Sequence, residues 1–444
     1  MKLIYIIPLL LILTASSCKK FLEIEPRDTI ADDATIIDKA SAETAVNGVY
    51  NAARSYYSVS FQSIAYLSGD NVQWTGSQSQ VQEFINHNVS PENATISTVW
   101  TGIYLSISRA NHVISKVPAV TDPLLSEEEK NQLTGEAYFI RALNYFDLAR
   151  TWGGVPIITS PTQTAEENRG IARSTQAETY TQVLNDLEAA EPLLPATTDR
   201  YRATKKTVWA LKARFYLYQK DWAKAEEYAS KLIDDNGDYQ LLKPFQSFFY
   251  PEANRGTNES VFEFFYSVNE TNEHRGQWQP QEKGGTRQWA PSDAFINLVN
   301  NPLIGGSRNV LIAKDNQNRW YGNLYYRSPA TDPTYVFRIA ELYLIRAEAR
   351  AQLGNLEGAS GDLNAVRARA ELSATIASNA ADLLLAIENE RRIEFAFEAH
   401  RWFDLVRTGR AATVLGFTDA NKLLMPIPVS QLQIDNALVQ NPGY

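Results

Sequence analysis

The chain of 444 residues carries 51 acidic and 42 basic side chains, a formal charge of -9, and one cysteine. That balance excludes a surface built to neutralise nucleic-acid phosphates, which depends on Lys and Arg. The length is ample for a large core and would allow two or three domains.

The first element is a leader. Lys2 precedes the apolar run Leu3 to Leu13, too short to span about 30 Å of hydrocarbon and suited to a secretory signal. Ala15, Ser16 and Ser17 are small residues ahead of Cys18, as a signal peptidase requires. A lone cysteine in an exported chain otherwise marks an unpaired reactive thiol. Here it stands where a bacterial lipoprotein is acylated, the thiol being consumed as a thioether, and stable anchoring takes more than one acyl chain. Ala15 departs from the Leu usual three residues before such a cysteine, and ordinary secretion with Cys18 removed or free is the alternative. The expectation is a signal peptide over 1–17 and a mature chain of one domain over 18–444, held at a membrane without crossing it. No later stretch approaches 18 consecutive apolar residues, so no spanning helix is expected.

Beyond the leader, apolar residues recur with helical period near 41–57, 97–116, 126–150, 175–191, 204–235, 336–370 and 379–408. Ser126-Glu127-Glu128-Glu129 reads as a capping box opening one helix. Only "VFEFFYSV", from Val261, reads as a convincing strand. The helices repeat a pattern. Tyr138, Ala142 and Tyr145 share their spacing with Trp209, Ala213 and Tyr216, and Tyr343 and Ala347 keep its first two terms, with Arg350 third. Arg141, Lys212 and Arg346 each precede the alanine, and Ala225 and Ala359 follow at one offset in the last two copies. This is the tetratricopeptide pattern, in which a small residue lets two helices approach and aromatics fill the seam. The fold class predicted is therefore all-α, a helical-repeat scaffold with minor β-structure. Long insertions near 58–96 and 236–335, rich in Gly, Asn, Gln and Pro, separate the units and are where function is expected.

Catalytic signatures are weak. Glu390, Glu394 and Glu398 fall at i, i+4, i+8 on one predicted helical face, and paired carboxylates could serve as acid and base on a sugar. Arg391, Arg392, Arg401 and Arg407 lie around them, and guanidinium groups would lower the pKa that an acid catalyst needs raised, which favours a structural network. The histidines at 87, 112, 274 and 400 show no HExxH spacing, and no GxSxG elbow, P-loop or GxGxxG occurs. No metal or cofactor is called for, and His400 reads as a packed helix residue.

Tryptophan placement is more informative. Trp100, Trp152, Trp209, Trp222 and Trp402 fall in or beside helical segments and read as core. Trp74, Trp278, Trp289 and Trp320 fall in polar stretches, "SGDNVQWTGS", "HRGQWQPQEKGGTRQWAPSD" and "NQNRWYGNLYYR". An indole there either staples its loop to the body or offers its face to a ligand such as a pyranose ring. The ligand-binding candidates are Trp74, Trp278, Trp289, Trp320 and Tyr321 as stacking surfaces, with Asp70, Asn71, Gln73 and Arg287 as polar partners.

Several long stretches resemble the SusD/RagB family of surface nutrient-binding lipoproteins: "CKKFLEIEP", "GEAYFIRALNYFDLARTWGGVPI", "RIAELYLIRAEARAQLGN", "ENERRIEFAFEAHRWFDLVRTGRA" and "LMPIPVSQLQIDNALVQNPGY". The resemblance implies four tetratricopeptide units carrying a loop-rich ligand-binding part. It also implies a SusC-like TonB-dependent outer-membrane transporter as partner, to which the lipoprotein delivers oligosaccharides without catalysis. Some members handle peptides instead, and a pure protein-protein adaptor is a third reading, which expects buried loop tryptophans.

Overall fold

The computed structural model describes residues 35–162, 164, 167–234, 237–250 and 256–444. Cys18 and the leader lie outside these residues. The first half is almost entirely helical: α1 (Lys39–Tyr56), α2 (Val59–Leu67), β1 (Val72–Trp74), α3 (Ser79–Ile85), α4 (Ala94–Lys116), α5 (Glu127–Trp152), α6 (Gln176–Leu193), α7 (Lys205–Gln219) and α8 (Trp222–Ile233). Then come β2 (Ser260–Phe264), α9 (His274–Trp278), β3 (Trp289–Pro291), α10 (Asp293–Asn300), β4 (Ile312–Lys314), β5 (Trp320–Gly322) and β6 (Thr334–Arg338). The chain returns to helix with α11 (Ile339–Gln352), α12 (Leu356–Arg369), α13 (Ala380–Glu394), α14 (Arg401–Arg407), α15 (Ala411–Leu415) and α16 (Val429–Ile434).

Helix pairs build the scaffold. α1 packs on α4, α5 on α6, α7 on α8 and α11 on α12, and the pairs join through α4 with α5, α6 with α7, and α8 with α11. The seam alanines explain the close approach: Ala142, Ala213, Ala225, Ala347 and Ala359 are all fully buried, and a methyl is the largest group such a contact admits. The basic residue ahead of the seam alanine has a role that spacing alone does not reveal. Arg141 on α5 clasps Asp186 on α6 through bonds of 2.9 and 2.6 Å, and Arg346 on α11 clasps Asp362 on α12 at 2.9 and 2.8 Å. Lys212 departs, reaching Glu191 on α6 of the preceding pair. The expected capping box opens α5: Ser126 N–H donates to Glu129 at 2.9 Å, and Glu129 N–H donates to the Ser126 hydroxyl at 3.3 Å.

Three expectations need correction. β2 is the strand foreseen from Val261, but its antiparallel partner β6 occupies the start of the segment expected to be helical from 336. Thr334 to Arg338 is buried throughout, and a short run with no exposed face shows no period that separates strand from helix. The segment expected as loop at 58–96 contains α2, whose residues from Phe61 to Leu67 are all buried. The helix expected over 379–408 breaks after Glu394, where Phe395 and Phe397 turn into the core at 1% exposure each.

The C-terminal tail is woven across the end of α5. Met425 N–H donates to the Thr151 carbonyl at 2.8 Å and the Trp152 indole donates to the Pro426 carbonyl at 2.9 Å. The Asn441 amide donates to the carbonyls of Trp152 at 3.0 Å and Met425 at 2.8 Å. Among the described residues no helix is long and apolar enough to cross a membrane.

Candidate functional site

Two short ribbons gather most of the predicted site. β1 and β3 pair antiparallel with Trp74 opposite Trp289 and Gln73 opposite Ala290. β4 and β5 form a hairpin with Lys314 opposite Trp320 and Ala313 opposite Tyr321. Its turn is held by the Asp315 carboxylate, which accepts from the backbone N–H of Gln317 at 2.9 Å and of Arg319 at 2.7 Å, with Asn318 at φ 64°. β3 packs on β5 and so joins the ribbons. Arg287 stitches them: its carbonyl accepts from the Thr75 hydroxyl next to Trp74, and its Nε donates to the Trp320 carbonyl at 2.8 Å.

Within this assembly the candidates divide by burial. Trp278 is 0% and Trp289 2% exposed, edge to face at 5.5 Å, with Tyr66 at 5.6 and 5.5 Å and Phe397 4.5 Å from Trp278. Tyr321 is also buried, its hydroxyl accepting from Lys283 at 2.6 Å. These three rings form the floor beneath the ribbons and have no face free for a ligand. Trp74 and Trp320 are half-buried and packed against the main hydrophobic core. A Cβ on Gly76 would fall within the Trp74 ring, so glycine there lets the indole fold back over its own chain. The Trp74 indole N–H is buried with no hydrogen-bond partner among the described residues, an unsatisfied donor that costs about 1–3 kcal/mol.

The polar candidates are mostly committed. Burial works against ionising Asp70, but Arg401 at 2.7 Å and Arg392 at 3.0 Å hold its carboxyl below the usual range. Asn71 is buried, giving its amide to the Arg392 carbonyl at 2.8 Å and accepting from Arg392 Nε at 2.9 Å. Gln73 donates to the Pro291 carbonyl at 2.8 Å. Asp70 and Asn71 therefore tie β1 to α13 and α14, while Arg287 is half-buried and in no ion pair among the described residues. The sequence reading missed Lys283, Lys314 and Arg319. The signal that finds two of them is the polar run Asp315 to Asn318 between Lys314 and Trp320, a hairpin turn that sets Lys314 across from the indole.

The signature carboxylates form a buried ionic core whose arginines come from elsewhere in the chain. Arg308 binds Glu390 and Glu394, Arg338 binds Glu259, Glu394 and Glu398, and Arg369 binds Glu259 and Glu394. The neighbouring arginines pair differently: Arg391 with Asp404 at 2.8 Å, Arg407 with Glu348 at 2.6 Å, and Arg392 and Arg401 with Asp70. Burial opposes a charge on Glu394, yet Arg369, Arg308 and Arg338 bring its pKa down to about 2. A carboxyl so held is a poor proton donor at neutral pH. His400 is buried beside Phe395, ring centroids 4.6 Å apart. Trp100, Trp152 and Trp402 are core, whereas Trp209 and Trp222 are half-buried.

Stacked helix pairs with loop-rich insertions define a tetratricopeptide-type scaffold. Residues 162–422 match the family described as SusD, and residues 20–217 match the SusD-like family described as starch-binding, associating with outer membrane. The chain belongs to the SusD family. It is 28% identical to SusD-like protein P38 of Formosa agariphila, over 97% of this chain and 96% of that one. It is 24% identical to the starch-binding protein SusD of Bacteroides thetaiotaomicron, over 85% and 84% of the two chains. Among solved structures, a laminarin-binding SusD-like protein superposes with a TM-score of 0.81 at 26% identity, covering 92% of this chain and all of that one.

Proposed function

We propose that this chain is a non-catalytic glycan-binding lipoprotein of the cell surface. It is tethered to the outer membrane through acylated Cys18 and hands captured oligosaccharides to a SusC-like TonB-dependent transporter. The observation that carries the reading is the pair of half-buried indoles, Trp74 and Trp320, on ribbons joined by Arg287 and backed by a closed aromatic floor. The apolar face of a pyranose lies flat on such a ring, each contact contributing of order 1 kcal/mol. Two platforms give the modest affinity that a delivery protein needs, and the backing fixes them before the ligand arrives. Arg287 stands between the indoles for hydroxyl contacts, whereas Gln73, the residue before Trp74 on β1, points to the other face of the strand and donates to the Pro291 carbonyl. Trp278, Trp289, Tyr321, Asp70 and Asn71, read from sequence as ligand contacts, support the face from behind. The adaptor reading expects every loop indole to be buried, and Trp74 and Trp320 argue against it. Names of relatives that bind starch and laminarin favour a saccharide over a peptide.

Calorimetry against a panel of oligosaccharides tests the site. Trp74→Ala and Trp320→Ala should each weaken binding about fivefold or more, the equivalent of one stacking contact. Unchanged affinity in both variants removes these residues from the site. Mass analysis of the mature N-terminus tests the tether, and co-purification with a transporter tests the hand-off.

A further inference from the structure

The chain as a whole is acidic, at -9, yet the face that bears Trp74 and Trp320 is lined with cations. The Lys314 ammonium lies 4.8 Å from the Trp320 ring centroid, while Lys283 is held on the hydroxyl of the buried Tyr321 behind that face. Arg319 flanks the same hairpin in an ion pair of 2.8 Å with Asp315. Asp315 is spent on that pair and on the turn N–H groups, and Glu282 accepts from the Asn316 N–H. Among the described residues, Arg287 and Lys314 are in no ion pair.

Arg287 is the informative one. Its Nε is fixed on the Trp320 carbonyl, which anchors the guanidinium between the two indole-bearing ribbons. Burial, and then repulsion from Arg319, lowers its pKa, with Asp315 acting in the opposite direction. A half-buried guanidinium with no carboxylate in direct contact is costly, the field of Asp315 offsetting only part of that cost, and the partner that relieves it is an oxyanion bound through charge-assisted hydrogen bonds. A neutral sugar would satisfy its N–H groups but bring no charge into contact with it.

We propose that the saccharide taken by this face is anionic, its repeat carrying a carboxylate or a sulfate that docks on Arg287 with Lys314 as second cation, while sugar rings rest on Trp74 and Trp320. The proposal rests on the glycan-binding reading of the same face.

The test is calorimetry on the mature chain at roughly 50 and 500 mM salt, since screening weakens exposed charge contacts. The probes are an oligogalacturonate for carboxylate, a carrageenan oligosaccharide for sulfate, a neutral laminari-oligosaccharide, and poly-glutamate. At least one anionic sugar should bind, weaken about tenfold in Arg287→Gln and in high salt, and recover in Arg287→Lys, tenfold being about 1.4 kcal/mol. Loss in Trp320→Ala should accompany it, with thermal unfolding confirming that each variant is folded. Salt-insensitive binding of the neutral sugar, lost in Trp320→Ala but unchanged in Arg287→Gln, overturns the anionic assignment and leaves the glycan face standing. Binding of poly-glutamate in place of sugars, binding indifferent to both tryptophan variants, or no binding of any probe overturns both.

Discussion

Trp278 and Trp320 sit in equally polar stretches and meet opposite fates. Trp278 is enclosed by Tyr66, Trp289 and Phe397, which reach it from α2, β3 and the turn after α13. Trp320 packs against the core but stays partly exposed. Local sequence carried no trace of those distant partners, so the candidates were legible as a group but not as individuals. The two should therefore separate experimentally. Trp278→Ala should cost about 3–5 kcal/mol of stability by leaving a large cavity, read by chemical denaturation. Trp320→Ala should shift stability far less while lowering ligand affinity. A Trp278→Ala protein within about 1 kcal/mol of the parent would contradict its place in the floor. Asp70 teaches the same lesson, since only the fold reveals that Arg392 and Arg401, more than 300 residues along, consume its charge.

Long helices were legible because their apolar period persists over many turns, and the seam alanines marked which of them pair. Short strands were not, because three residues such as Val72 to Trp74 carry no period to read. The basic residue ahead of each seam was visible, but its partner lay beyond reach: Asp186 is 45 residues from Arg141, and Asp362 is 16 from Arg346. These clasps make a prediction about the helix pair. Asp186→Ala leaves the Arg141 guanidinium buried without its carboxylate and should cost about 3–5 kcal/mol. The double variant Arg141→Met/Asp186→Leu removes both charges and should regain most of that loss. Unfolding midpoints across the cycle check it, and equal losses in the single and double variants would mean that the pair is not coupled.

At the scale of the whole molecule, buried histidines make folding favour neutral over mildly acid pH. His274 lies in the core, its Nδ1 2.8 Å from the Asn272 amide oxygen and its ring stacked on Tyr325 at 4.4 Å. Burial holds its pKa down to about 3 from an ordinary 6.5. Between those values the unfolded chain takes up a proton that the folded one refuses, so this stabilisation is complete above 6.5 and is lost as pH falls toward 3. The loss reaches about 2 kcal/mol by pH 5. His400, also pushed well below its usual value by burial and then by Arg214 and Arg391, acts in the same direction. Glu263, raised by burial to about 7, opposes them, as do Glu136, Asp147, Asp186, Asp332 and Glu398, each also raised by burial. The contribution of His274 is isolated by its own variant: His274→Phe should unfold with a smaller difference in midpoint between pH 7 and pH 5 than the parent. Identical differences would show that the imidazole does not set the slope.

The weave of the C-terminal tail over the end of α5 makes one helix depend on residues far along the chain. The carbonyls of Thr151 and Trp152 accept from donors on Met425 and Asn441, the latter 289 residues further along the chain. The second helix pair is thus closed by bonds from a distant segment, and a chain lacking that segment would leave the carbonyls at the end of α5 without these donors.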